Sequence, residues 1–542
     1  MSTETVSIRP VDQQIMAAEA TVTPGQPREA LEVLEPGQPT DNVVYPTGIK
    51  LTMAMLSVMT ACFIHGLDLT IVAAAVPSLT NHFKTIEDIG CGIMFAAFTF
   101  SAGKIYTLSS VKIVYLISII LFEVGSLMCT VAPTSWFFIF GRAVAGTAAA
   151  GMGAGAMLII AQCFPVHRRP IWFAVMATSQ AVGLVSAPMV GGALIDWISW
   201  RACFGINLPL GVAVVAMIAW GFTDPAQNES IALPWKEKVK RMDLLGSFVV
   251  IPSVTCLLLI LQWGGIRYGW GNPRIIALIV VCAVLCLVFC WLQYRLQEKA
   301  VLPPRIVKNR NVLGAAWFSA CTNGTLAMTE YYMAIYFQGV RGYSASKSGI
   351  FIVPMLVGLM VASLLGGAGT QKFGYTNPFM LATCLLGPVA SGLLSTVDLD
   401  DKLVKPLCYL GFLGFGIGVG NLGPGNALSA ILPLKDLPLG MAVTGFGGGM
   451  GSSLFVAASA SLFQNRLGKE LSKSAPGANV PTIGEAGLSA IRSEVGADRL
   501  REILLGYGEA VSQTLYMPTA LIASSIIGAV CIQWQSAKKK QS

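Results

Sequence analysis

The chain has 542 residues, of which 54% are hydrophobic and only 12% charged, and its formal net charge is +8. Soluble globular proteins carry about 25% charged residues, so this composition excludes a string of polar-surfaced soluble domains. No basic stretch interleaved with aromatics stands behind the positive charge. It therefore reads as the Lys/Arg excess of cytoplasmic loops in a membrane protein, not as a nucleic-acid surface.

Residues 1–47 are polar and hold Pro24, Pro27, Pro36, Pro39 and Pro46. They read as a disordered cytoplasmic tail, not a signal peptide. Fourteen apolar runs follow, near 51–76, 89–108, 112–131, 136–161, 171–195, 203–222, 244–263, 274–293, 312–337, 348–369, 377–396, 406–432, 439–463 and 514–534. Each approaches the ~20 residues that cross a bilayer as a helix, so the expected fold is all-α and polytopic. The second run is short and interrupted by Lys104. Most of the 57 glycines lie inside the runs, where small residues let helices approach closely. The 13 cysteines also lie mostly in runs, with Cys282, Cys286 and Cys290 on one face; they read as packing, not disulfides.

An even number of spans puts both termini on one side. Lys104 and Lys112, Arg168 and Arg169, Lys236 to Arg241, Arg295 to Arg310, Lys372, Lys435 and the basic tail 536–542 make that side the cytoplasm. Residues 464–513 then form a long extracytoplasmic loop, with amphipathic stretches at Glu485–Val495 and Asp498–Leu505, expected to act as a spacer.

Leu67-Asp68-Leu69-Thr70-Ile71-Val72 closes near Pro77, Gly141-Arg142-Ala143-Val144-Ala145-Gly146 opens the fourth span, and Gly183 to Gly192 runs through the fifth with Ser199-Trp200-Arg201 after it. Leu302-Pro303-Pro304-Arg305, Gln262-Trp263-Gly264-Gly265, Tyr331-Tyr332 and Phe337-Gln338 follow in order. This series resembles the fourteen-spanner drug:proton antiporters of the major facilitator superfamily, and among them the fungal toxin and multidrug exporters. The resemblance implies a six-helix bundle over 48–222, linkers with two extra helices over 223–311, and a second six-helix bundle over 312–535. It further implies a monomer without cofactor in the lipid bilayer, whose partners are a small-molecule substrate and protons. A plasma-membrane location is implied, with the vacuolar membrane as the alternative. One departure concerns Gly103 to Lys112, where Thr107 stands in place of the superfamily's acidic residue, which puts the gating role of that loop in question.

The residues add a geometric argument. Counted at 1.5 Å per residue from the outer ends of their runs, Asp68, Arg142, Glu330 and Glu123 all lie roughly 10–12 Å deep. His65 is one turn deeper on the face of Asp68. Ionisable groups at such depth are costly and mark function by default. Burial favours a neutral carboxyl and a nearby Arg its anion, so a carboxylate between the two can load and release a proton. Asp68 is the expected proton carrier with Arg142 tuning it; Glu330 and His65 are further candidates for proton coupling, and Glu123 is expected to be structural. Gly183, Ala187 and Gly191 form one smooth stripe, Pro188 removes a backbone donor beside it, and Gly192 completes the antiporter motif. Tyr331, Tyr332, Gln338, Asn421 and Asn426 are the expected substrate contacts, suited to a bulky, mostly apolar ligand.

No phosphate-binding Gly-x-x-x-x-Gly-Lys-Ser/Thr loop is present, so a nucleotide-driven pump is not expected. His65, His82 and His167 are not spaced for a metal site, and the chain is not expected to be an enzyme. The rival readings are an uptake or vacuolar transporter of a metal chelate or basic amino acid, and a non-transporting sensor of the same fold.

Overall fold

The computed structural model describes residues 46–83, 90–224, 243–264, 268–297, 300–474 and 497–536. The expectations for the N-terminal tail, for Glu485–Val495 and for the basic residues after 536 lie outside these. Sixteen helices of nine or more residues carry the described chain. They are α1 (Gly48–Phe83), α2 (Gly90–Leu108), α3 (Val111–Thr130), α4 (Ser135–Cys163), α5 (Arg169–Trp197), α6 (Asn207–Gly221), α7 (Leu244–Trp263) and α8 (Pro273–Leu296). They continue as α9 (Arg310–Ile335), α10 (Ala345–Phe373), α11 (Asn377–Leu394), α12 (Val404–Asn421), α13 (Gly423–Ile431), α14 (Leu437–Ser474), α15 (Ala497–Thr514) and α16 (Tyr516–Cys531). Each apolar run of the sequence falls on one or two of them. Among the described residues eleven helical segments are long and apolar enough to cross a membrane, and α7 adds a shorter apolar stretch, Leu245–Leu261. Helix α9 is long enough but too polar to count. It buries Asn311, Thr322, Thr325 and Thr329, as a helix ringed by other helices can.

The helices start where short polar side chains can satisfy a free backbone N–H. Ser110 caps α3, Thr134 caps α4, Asp243 caps α7 and Asn309 caps α9. Gly374, at φ 85°, ends α10 in the left-handed conformation that glycine adopts without strain.

The starts of α1, α3, α5 and α9 and the ends of α6, α13 and α16 gather at one face, here the proximal face. Gly221 packs on Met53 and Ala54, and the Asn377 side chain donates to the Ile532 carbonyl at 3.0 Å. Here the two halves of the chain share one apolar core. It runs from Ala54, Ile160 and Phe173 to Leu428, Leu437 and Met441. Toward the distal face the cores separate. Leu67, Ile71, Phe138, Trp200 and Phe204 form one, and Met328, Tyr332, Leu394, Phe463 and Tyr507 belong to the other. Polar bonds reinforce the proximal join. Arg169 donates to the Ser429 carbonyl at 3.0 Å, and Arg305 grips Asp436 with two bonds of 2.8 and 2.9 Å. Bidentate geometry makes the Arg305–Asp436 pair directional as well as attractive.

Two expectations change. Residues 464–513 are not a mere spacer. Helix α14 runs on to Ser474, and α15, which holds Asp498–Leu505, buries Ile503, Ala510 and Val511 in the second distal core. Its Tyr507 ring lies 5.3 Å from Phe463. An amphipathic helix of this kind finds its stability by covering apolar surface, which a spacer would leave bare. The segment Gly103 to Lys112 is mostly helix, since α2 continues to Leu108. The acid that holds its turn comes from beyond α6: Asp224 accepts from the Ser110 hydroxyl and, at 3.2 Å, from the Lys112 N–H.

Candidate functional site

Asp68 on α1 and Arg142 on α4 meet at 2.7 Å, with the two residues 1% and 4% exposed. A pair so enclosed persists because each ion neutralises the other; either one alone would carry its full desolvation cost. The Arg142 guanidinium also lies 5.6 Å from the centre of the Phe204 ring, which gives its charge a second, weaker partner. His65, one turn along α1, is half-buried and within electrostatic reach of both. Glu330 stands half-buried on α9 in the other half of the molecule. The charged candidates thus divide into one contacting group on α1 and α4 and one separate acid on α9.

Helix α5 holds α1 in place from the other side. A Cβ on Gly183 would overlap the Phe63 carbonyl and come within 2.8 Å of the Leu67 nitrogen; a Cβ on Gly66 would overlap the Gln180 carbonyl. Backbone therefore touches backbone at this crossing, which only glycine permits. Ala187 is fully buried against Leu67 and Ile71 in the same core. Gly191 is buried and its carbonyl lies 3.7 Å from the Cys203 thiol, whereas nothing lies within 4 Å of a Cβ built on Gly192.

Pro188 has no N–H, so the Leu184 carbonyl one turn earlier loses its helical partner. Thr70 of α1 replaces it, its hydroxyl donating to that oxygen at 3.0 Å. The break in α5 is thus stitched to α1 two residues past Asp68. Sequence reading singled out Pro188 and Asp68 but missed Thr70; the signal was a hydroxyl beside the acid in one helix and an orphaned carbonyl in another. Thr70→Val is expected to cost about 1–3 kcal/mol, the penalty of a buried acceptor without a donor. Thr70→Ser should cost far less, and thermal unfolding of the purified protein distinguishes the two.

The five expected substrate contacts divide by exposure. Tyr331 and Gln338 are exposed and Asn421 is half-buried, while Tyr332 and Asn426 are enclosed at 0% and 5%. Tyr332 acts as backing for Tyr331: the two rings lie 5.2 Å apart, and Tyr332 rests on Phe463 at 5.5 Å. Asn426 sits on α13, the helix whose Ser429 receives Arg169. Just past Tyr332, residues Tyr336–Val340 form a π-helical turn, a local widening that concentrates at functional sites. Arg341 anchors that turn by donating to the Tyr336 hydroxyl at 2.8 Å and to the carbonyls of Asp398 and Asp401. In the same loop, the hydrogen bond from Lys405 at 2.7 Å holds the Asp401 carboxyl below its ordinary pKa.

Residues 58–456 match the model of the Major Facilitator Superfamily. The chain belongs to that superfamily. Within it, the efflux pump roqT of Penicillium rubens is 39% identical over 502 residues, covering 92% of each chain. The MFS thioclapurine efflux transporter tcpA of Claviceps purpurea is 35% identical over 515 residues, covering 94% of this chain and 95% of its own. The MFS-type efflux pump MFS1 of Trichophyton rubrum is 36% identical over 506 residues, covering 92% and 94%. Among solved structures, the proton:xylose symporter XylE matches over 90% of this chain and 97% of its own with a TM-score of 0.57 at 12% identity, a likeness of fold. The protein is accordingly a multi-pass membrane transporter of the major facilitator superfamily, and its function is efflux.

Proposed function

We propose that this transporter exports small, mostly apolar organic compounds, secondary metabolites or toxins, in exchange for protons, with Asp68 carrying the proton and Arg142 controlling its release. The observation that carries the reading is the enclosed 2.7 Å pair between them. A proton arriving on Asp68 removes its charge and frees Arg142; a deprotonated Asp68 restores the pair. The relative strengths of burial and ion pairing then decide when the proton leaves. Glu330 serves as a second site, and His65, one turn from Asp68 on α1, as a further group on the proton path. Gly183, Ala187, Pro188, Gly191 and Gly192 form the packed and broken stretch of α5 that moves with α1. Tyr331, Gln338 and Asn421 touch substrate directly, with Tyr332 and Asn426 supporting them.

The proposed topology has fourteen crossings: bundles over 48–222 and 312–535 joined by two extra helices within 223–311, both termini in the cytoplasm, and a monomer in the plasma membrane. A shared core at the proximal face and separate cores at the distal face suit a transporter closed toward the cytoplasm and open outward. The curated relatives named efflux pumps support the direction of transport, and the one named for thioclapurine supports the substrate class. The test is flux in inside-out membrane vesicles with an imposed proton gradient, using rhodamine 6G and a panel of apolar fungal metabolites. Asp68→Asn is expected to abolish gradient-driven accumulation while the protein remains in the membrane. Accumulation unchanged by this substitution would remove Asp68 from the mechanism.

A further inference from the structure

Glu123 was expected to be structural, yet a structural acid inside a membrane protein is one whose oxygens are bonded. Here both carboxyl oxygens are buried and find no hydrogen-bond donor among the described residues. The group lies where α3 passes α6, so close to Gly211 that any Cβ there would collide with it. One turn before Gly211, the fully buried Asn207 faces α3 as well. Its amide N–H₂ donates to Ser126 at 3.3 Å, and its own carbonyl oxygen is left without a donor. The α3–α6 contact thus encloses three acceptor oxygens, two of Glu123 and one of Asn207, for which the described residues provide no donor. A proton on the Glu123 carboxyl is the smallest addition that supplies one.

The site connects to the pair already described. Phe204, on whose ring Arg142 rests, precedes Asn207 by three residues, and Asp68 is the charged group whose field reaches Glu123. The other charges on the elements packed around α3 are Arg142 on α4, Lys104 on α2 and Arg201 in the turn before α6; α6 itself carries no charged side chain.

We propose that Glu123 is a second proton-carrying carboxylate of the N-terminal bundle, electrostatically linked to Asp68. In one half of the cycle its carboxylate gains a proton from water and becomes the neutral acid; in the other it returns that proton to water. The use of this proton in transport rests on the proton-driven reading above, but the protonation itself is testable without transport. The experiment is an acid–base titration of the purified full-length protein, followed by infrared difference spectroscopy of carboxylic-acid carbonyl bands. A band from a buried acid is expected in the native protein, shifted in heavy water, absent in Glu123→Gln and displaced in Glu123→Asp. Its midpoint should move by about tenfold or more in proton concentration in Asp68→Asn, since linked sites titrate as a pair. Identical bands in the native protein and Glu123→Gln would overturn the proposal, as would a midpoint unmoved in Asp68→Asn. A band erased by sodium chloride and not by potassium chloride would also overturn it, by making the site a sodium site. If Glu123→Gln does not fold, Glu123→Asp provides the assignment. Should Asp68→Asn keep driving transport while the Glu123 band behaves as expected, the proton-exchange reading falls and the Glu123 site stands.

Discussion

Arg142→Ala is expected to cost the protein about 3–5 kcal/mol and all gradient-driven transport, because it leaves the Asp68 carboxylate enclosed without its counterion. The magnitude follows from burial: both side chains are at most 5% exposed, so water cannot take over what the guanidinium supplied. The corresponding double variant, Asp68→Asn with Arg142→Met, removes both charges and keeps most of the volume. Replacing a buried ion pair by neutral groups of similar size is often nearly free or even stabilising. It should therefore recover most of the lost stability while remaining inactive. Thermal unfolding of the detergent-purified proteins, paired with vesicle flux, reads both quantities. A double variant no more stable than Arg142→Ala would show that the two residues do not act as a unit. Recovery of stability without recovery of flux would separate the pair's structural role from its part in transport.

The same residues show what the sequence could disclose. A lone Asp and a lone Arg inside apolar runs stand out because charge is so costly there, and counting helical rise from each run's end is enough to set them at one depth. Helix existence was equally legible, and among the described residues eleven of the runs are long and apolar enough in their own right to cross a membrane. What stayed hidden depends on how helices are rotated against one another. Nothing local to Thr70 says that it faces the Leu184 carbonyl that Pro188 leaves bare, 114 positions away in the chain. Nothing local to Asp224 says that it will hold the turn at Ser110 when Thr107 offers no acid. Helix α15 was half legible: its amphipathic pattern was visible, but the apolar surface it covers belongs to α14 and to the end of α9. Tyr332 and Tyr331 are neighbours with identical chemistry, and only the packing of Phe463 decides which of them faces outward.

Gly183→Val is expected to be the most damaging single change in the α5 motif, and Gly192→Val close to harmless, although both replace a glycine of the same stretch. At Gly183 the added atoms would enter the backbone of α1 at Phe63 and Leu67, and backbone cannot rotate away as a side chain can. Overpacking a well-filled site costs about 1–3 kcal/mol when side chains can yield, and here the helices themselves must part. Separating them would also pull the Thr70 hydroxyl off the Leu184 carbonyl and shift Asp68 relative to Arg142. Flux should fall even under mild conditions in which the variant remains folded. At Gly192 a Cβ would meet no atom within 4 Å beyond its own helix's backbone, so the valine enters open space. Membrane abundance, unfolding temperature and vesicle flux of the two variants provide the comparison. Equal loss in both would mean that flexibility of the whole glycine-rich stretch matters more than its contact with α1. Loss confined to Gly183→Val would mean that transport depends on the close contact of α5 with α1, the helix that carries Asp68.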